Sequence, residues 1–219
     1  MSEEVDFSDF PVSMTFWRVL KKLDGRTLVE VKKRLEGIVE TISATKPGAG
    51  RAMQVHKSIE HYKNEKVKEK ASCRKGCSAC CHQAVSITDD EATLIWAYCK
   101  SKGIPISKTQ LLRQKGLSAA ELWVLPRAES RCVFLGDDDG CKIYNHRPSS
   151  CRNYMVSSDP KICEKDPKGG EFHLKMLFDL QPELIAAAHS HVDKKTGNMA
   201  DKLLHKIKLE ETMPVIELK

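Results

Sequence analysis

Apolar residues recur at three- and four-residue steps over positions 15–43. They are Phe16, Val19, Leu20 and Leu23, then Leu28, Val31, Leu35, Ile38, Val39 and Ile42. That period marks amphipathic helix. Asp24-Gly25 divides the stretch into two helices. Lys32, Lys33, Arg34 and Glu36 form the opposite, solvated face. Ahead of it, residues 1–14 are acidic and irregular and predict a flexible arm. Lys46-Pro47-Gly48-Ala49-Gly50 is a loop. Residues 51–71 return to a helical pattern but are very polar, with Glu and Lys at i,i+4 spacing. They predict a solvent-exposed helix leading into the segment that follows.

Beyond residue 82 the signals are sharper. Thr88-Asp-Asp-Glu91 has the spacing of a capping box, in which the Thr side chain caps the helix and Glu91 returns the bond. The helix it opens runs to about 101, with Leu94, Ile95, Ala97 and Tyr98 inward. Gly103-Ile104-Pro105 ends it. Ser107 starts a short helix, and Ser118-Ala-Ala-Glu121 is a second capping box. Residues 131–144 predict a β-hairpin, with Arg131-Cys-Val-Phe-Leu135 as one strand and Cys141-Lys-Ile-Tyr144 as the return. The intervening Gly136-Asp-Asp-Asp-Gly140 is acidic, but too short for a calcium loop and without its closing Glu. Pro148 suits a first helical turn. Residues 171–191 read as helical with Pro182 as an interruption, residues 198–210 as a last polar helix, and residues 213–219 as a tail.

The expected fold class is mainly α with a small β-hairpin, a loop-rich cysteine and metal core packed by helices. The expected organisation is an arm (1–14), an N-terminal helical region (15–71), a cysteine-cluster domain (72–165), C-terminal helices packing on it (166–210) and a tail (211–219). No internal repeat is visible.

Composition changes this picture little. Hydrophobic residues make up 41% and charged residues 30% of 219, values of a globular chain with a modest core. No apolar run approaches the about 20 residues of a membrane span, so no membrane role is expected. Net charge is +6, and bound thiolates would reduce it. Charge alone is thus a weak argument for nucleic acid.

The candidate chemistry lies in the cysteines. Cys73, Cys77, Cys80 and Cys81 fall within nine residues as C-x3-C-x2-C-C, and Cys132, Cys141, Cys151 and Cys163 follow. Soft thiolates bind zinc and iron, four donors to a closed site. The eight are read as ligands of zinc or of an iron–sulfur cluster. A helix over 73–81 would set Cys73, Cys77 and Cys80 on one face with Cys81 turned away. Gly76 offers the alternative of a ligand-presenting turn. Cys132 and Cys141, at the ends of the predicted strands, make a plausible ligand pair. Cys151 falls in a first helical turn, where the positive helix end stabilises a thiolate. Cys163 has the least diagnostic neighbours. Cys99, on an apolar helix face, reads as packing.

Three other uses of the thiols compete. The N-terminus is acidic and no apolar leader follows, so a reducing, cytoplasmic setting is expected and disulfides are not. Inert core cysteines do not cluster among Arg, Lys, Gly and Ser. Cys77-Ser-Ala-Cys80 is a dithiol motif without the strand a thioredoxin-like site needs. Arg147 and Arg152 flank Cys151 and can neutralise a thiolate cluster from just outside it. Their alternative role is to bind a phosphate or carboxylate. His56, His61, His173, His189 and His191 rank below the cysteines as ligands.

The arrangement resembles the CxxCxxCC-type cysteine-cluster proteins, the YkgJ-like family of zinc- or iron-chelating domains. The resemblance rests on Cys77-x2-Cys80-Cys81 with Cys73 upstream, Cys132-Val-Phe-Leu, the segment Cys141-Lys-Ile-Tyr144-x2-Arg147-Pro148-x2-Cys151-Arg152-x-Tyr154, and Cys163. It covers about residues 72–165. The flagellin lysine methylases look similar in the same pattern. Cys73-x3-Cys77 departs from the more usual x2 spacing. The resemblance implies metal binding by the eight cysteines, with Arg147, Arg152, Tyr144 and Tyr154 around them.

Three functions follow as expectations. The first is a metal-binding protein with a structural or electron-transfer role. The second is a metal-dependent enzyme modifying protein side chains, although the sequence holds no glycine-rich nucleotide loop and no catalytic constellation. The third is a zinc-stabilised adaptor that binds a protein or nucleic acid through the basic helix 51–71.

Overall fold

Most helices open on a side chain that accepts an orphan first-turn amide. In the computed structural model, which describes residues 5–74, 76–163 and 175–212, Ser13 caps α1 (Met14–Leu20) and Asp24 caps α2 (Gly25–Ser43). Asn64 caps α4 (Glu65–Lys70). Both capping boxes are present: Thr88 with Glu91 opens α5 (Asp89–Lys102), and Ser118 with Glu121 opens α7 (Ala119–Val124). Gly103 ends α5 in the left-handed conformation at φ +61°. Ser107 caps α6 (Lys108–Gln114). The remaining helices are α3 (Ala49–Tyr62), α8 (Arg127–Ser130), α9 (Ser149–Asn153), α10 (Leu180–Asp193) and α11 (Met199–Thr212).

Helix α10 is the central post. Its Leu184, Ile185, Ala187 and Ala188 are buried with Phe16, Leu20, Val31, Leu35, Val55 and Ile59, which joins α1, α2 and α3 in one apolar cluster. A second cluster packs α5, α6 and α11 around Ile95, Cys99, Leu111, Phe134, Ile143 and Leu203. Each fully buried Leu, Ile or Phe here contributes about 1.5–3 kcal/mol. The third cluster, beside the cysteines, holds Ala79, Val156 and Cys163 as its buried members among the described residues.

The fold is mainly α with one small antiparallel pair, as expected, but the pair is elsewhere. β1 (Ser86–Ile87) pairs with β2 (Gly197–Asn198), in the register Ser86 to Asn198 and Ile87 to Gly197. At 131–144 the predicted hairpin is reduced to a single Leu135–Cys141 bridge. Turns crowd it on both sides: Leu135 N–H donates to Cys132 O at 3.0 Å, and Tyr144 N–H to Cys141 O at 3.1 Å.

Other expectations also change. Residues 5–13 of the expected arm are docked, because Phe7 is buried in the first cluster. Helix α3 is no exposed rod: Arg51, Ala52, Val55, His56 and Ile59 are buried, and one face of the expected basic helix is given to the core. Pro182 does not interrupt α10. It is the third residue of the helix, where a missing N–H costs nothing. The predicted helical residues 171–174, with His173, and the tail at 213–219 lie outside the described residues. Among the described residues no helix is long and apolar enough to cross a membrane.

Candidate metal centre

The cysteine segment does not form a helix. Gly76 adopts φ +83°, a value other residues rarely take. The chain therefore turns there, and only Ala79–His82 winds into a short 3-10 helix. The turn replaces the one-face helical arrangement of Cys73, Cys77 and Cys80. Ser72 anchors it, donating N–H to Val156 O at 2.8 Å and Oγ–H to Ser157 O at 3.1 Å. Cys132 N–H donates to Cys81 O at 2.7 Å, which brings the second cysteine block onto the first. Cys151 rides on α9, and Cys163 closes the 3-10 turn Pro160–Cys163.

The electrostatic neighbours sort the thiols into two adjoining groups. Cys81 feels Cys80, Cys132 and Cys141, and Cys151 feels Cys132, Cys80 and Cys141. Cys163 instead feels Cys77, Cys73 and Cys80. Cys77 feels Cys80 and Cys73. Cys80 stands between the groups. Cys99 lies apart, buried on α5; burial alone pushes its thiol up to about 11.

This crowding sets the chemistry. A hydrogen bond from the Cys81 thiol draws Cys80 down to about 7 against burial, with Arg147 assisting. The same bond, with burial, raises Cys81. Burial pushes Cys132 up to about 12 and Cys163 up to about 11, and raises Cys77, Cys141 and Cys151. For Cys151 burial thus outweighs the helix end. Each thiolate formed also opposes the next. A cationic centre among the sulfurs would remove both penalties. The donor set therefore fits a metal.

The arginines divide. Arg152 is buried and committed: Nη1 donates to Glu60 at 2.7 Å, Nε to Arg147 O at 2.8 Å and Nη2 to Asn145 O at 2.5 Å. It holds the turn before α9 and makes no bond to a thiol. Arg147 is the cation that acts on Cys80, Cys141 and Cys151. Its guanidinium lies 3.8 Å over the exposed Tyr144 ring. Tyr154 is bonded to Gln83 and feels Cys163, Cys80 and Cys73.

The histidines stand elsewhere. His56 Nε2 lies 3.0 Å from Glu91 Oε1. His189 Nε2 lies 3.1 Å from Asp90, and His191 Nδ1 lies 2.8 Å from Asp9 O. His61 packs edge-on against Tyr62. A buried polar layer results, which the sequence did not disclose. Asp90 takes Gly48 N–H at 2.6 Å, Arg51 Nε and His189. Glu91 takes Ser149 N–H at 2.7 Å, Ser149 Oγ–H at 2.8 Å, Thr88 N–H at 3.0 Å and His56. These carboxylates lie within the capping box that was legible, but their partners outside it are 35 or more residues away.

Among the described residues, the grouping of three His, Cys, Asp or Glu donors within 4.8 Å of one another is Asp90, His189 and Asp193. Its carboxylates are already spent on Arg51 and on backbone N–H groups of Gly48 and Asp90. It is an ion-pair network. The cysteine sulfurs are gathered more widely than that.

No curated protein and no solved structure matches the chain. Residues 72–172 match the CxxCxxCC family model, described as a "putative zinc- or iron-chelating domain". That segment contains all eight clustered cysteines and spans a little under half of the chain.

Proposed function

We propose that this chain holds metal in two four-thiolate sets. Cys81, Cys132, Cys141 and Cys151 make one, and Cys73, Cys77, Cys80 and Cys163 make the other. The observation that supports this reading is the pattern of fields: Cys132 and Cys141 act on Cys81 and Cys151, Cys73 and Cys77 act on Cys163, and Cys80 acts on both groups, so that assigning Cys80 apart from adjacent Cys81 completes two sets of four. Arg147 and Tyr154 stand beside the sets, and Arg152 and Tyr144 hold Arg147 and its turn in place.

The role is structural, with electron transfer where the metal is iron. Among the described residues, the lobe around the cysteines has three buried residues in its apolar cluster, a small core to order its loops. Metal bound in this lobe supplies the missing stability. Four thiolates on one zinc ion, each at about 2.3 Å, stand about 3.8 Å from one another. The wider gathering of these sulfurs favours an iron–sulfur cluster, whose thiolates sit on separate iron atoms. Such a cluster supplies one-electron chemistry. The protein's part is to present the sulfurs, bury them and set Arg147 against their charge.

Cys81→Ala and Cys77→Ala test the partition by metal content after anaerobic purification. Each variant is expected to keep about half of the wild-type metal, and the double variant none. Complete loss in both single variants would show one shared site.

A further inference from the structure

A cleft of about 740 Å³ lies between α3 and α4 on one side and the segment from Tyr144 through α9 on the other. Its size suits a small molecule. Lys57, Lys63, Lys68, Arg147 and Arg152 line it, against the single carboxylate Glu60. Cys73 and Cys151 form part of its wall, so the cleft opens directly beside the proposed metal sets.

Three of the five cations are spoken for. Lys63 lies 2.9 Å from Glu60, Arg152 also bonds Glu60, and Lys68 lies 2.6 Å from Glu65. The other two are not. Arg147 is fixed from behind: Nε donates to Tyr144 O at 3.1 Å and the Tyr144 ring supports the guanidinium. Among the described residues its two Nη groups have no hydrogen-bond partner, and neither has Lys57 Nζ. His146 adds a third open group. Its ring stacks on Tyr98 at 3.8 Å, and its buried Nδ1 has no partner. A guanidinium fork held by an aromatic ring, with a lysine across the cleft, is the arrangement that takes an oxyanion. Compensation of the thiolates does not account for Lys57, because the cation that acts on Cys80, Cys141 and Cys151 is Arg147.

We infer that this cleft binds an anionic small molecule, its phosphate or carboxylate group held between Arg147 and Lys57, beside the metal centre. The inference rests on the cleft and does not require a particular metal. The test is isothermal titration of the metal-loaded protein with inorganic pyrophosphate and, separately, with citrate, at about 0.15 M salt. Tighter binding of pyrophosphate identifies phosphate as the ligand chemistry, and tighter binding of citrate identifies carboxylate. Lys57→Gln and Arg147→Gln should each weaken the bound probe about tenfold. Lys66→Gln, on α4 outside the cleft, should not change it. Metal content is read on every sample. Because Lys57 is far from the thiols in the sequence and exposed, Lys57→Gln should keep its full metal, which separates failure of the cleft from failure of the metal sites. Equal affinity in Lys57→Gln and Lys66→Gln, or no binding of either probe by the loaded wild type, would overturn the inference.

Discussion

Glu91 is 2% exposed and joins three parts of the molecule. Its carboxylate caps α5 through Thr88, receives His56 of α3, and takes both N–H and Oγ–H of Ser149 at the start of α9, two residues before Cys151. Burial alone would raise its pKa. The His56 bond and field, with the field of His189 and the Ser149 bonds, instead hold it down to about 2 from 4.5. The sign follows directly. An acid whose folded pKa is depressed stabilises the fold fully above its unfolded pKa, and that stability is lost as pH falls toward the folded value. A depression of that size is worth about 3 kcal/mol at neutral pH, and roughly half of it survives at pH 3. Glu91→Gln removes the charge, and its amide cannot accept at both oxygens. Urea unfolding followed by far-ultraviolet circular dichroism, run on both proteins at pH 7 and pH 3, measures the difference. The variant should be less stable by about 3 kcal/mol at pH 7, and the gap should narrow by roughly half at pH 3. A gap under about 1 kcal/mol at pH 7, or one independent of pH, would refute the role assigned to the charged carboxylate.

Cys99→Ala should cost about 1 kcal/mol in the same unfolding assay and leave metal content unchanged, because Cys99 is a packing residue of the second cluster. Gly76→Ala has room for its Cβ but not the backbone, since φ is +83°. It should cost about 1 kcal/mol and speed metal loss to a chelator, while Gly37→Ala, helical with equal room, should not. Arg152→Ala leaves Asn145 O and Arg147 O without their donor and Glu60 with Lys63 alone. It should destabilise by about 3 kcal/mol and loosen metal retention through the turn before α9, whereas a thermal melt and chelator assay at wild-type values would argue against that positioning role.

Local signals in the sequence carried much of this fold. Asp24-Gly25 parts α1 from α2, Thr88 and Ser118 open capping boxes, and Gly103 ends α5, because each depends on residues within one turn. The eight clustered cysteines stood out for the same reason, since spacing alone makes them improbable as packing residues. What the chain concealed depends on distant partners. Arg51 and His56 look like the polar face of an exposed helix until Asp90 and Glu91 meet them across 39 and 35 residues. Residues 131–144 have strand composition, but two local turns consume the amides a longer ladder needs. The grouping of Cys163 with Cys73 and Cys77 depends on the chain returning after α9, which no spacing encodes.

The most direct test of the metal reading is an anaerobic purification with iron, zinc and acid-labile sulfide measured on the sample that gives the absorption spectrum. The account predicts a brown protein with iron, matching sulfide and a broad band near roughly 400 nm. A colourless protein with about two zinc ions per chain would retain the two sets but contradict the iron–sulfur assignment. A protein without bound metal would contradict the central claim.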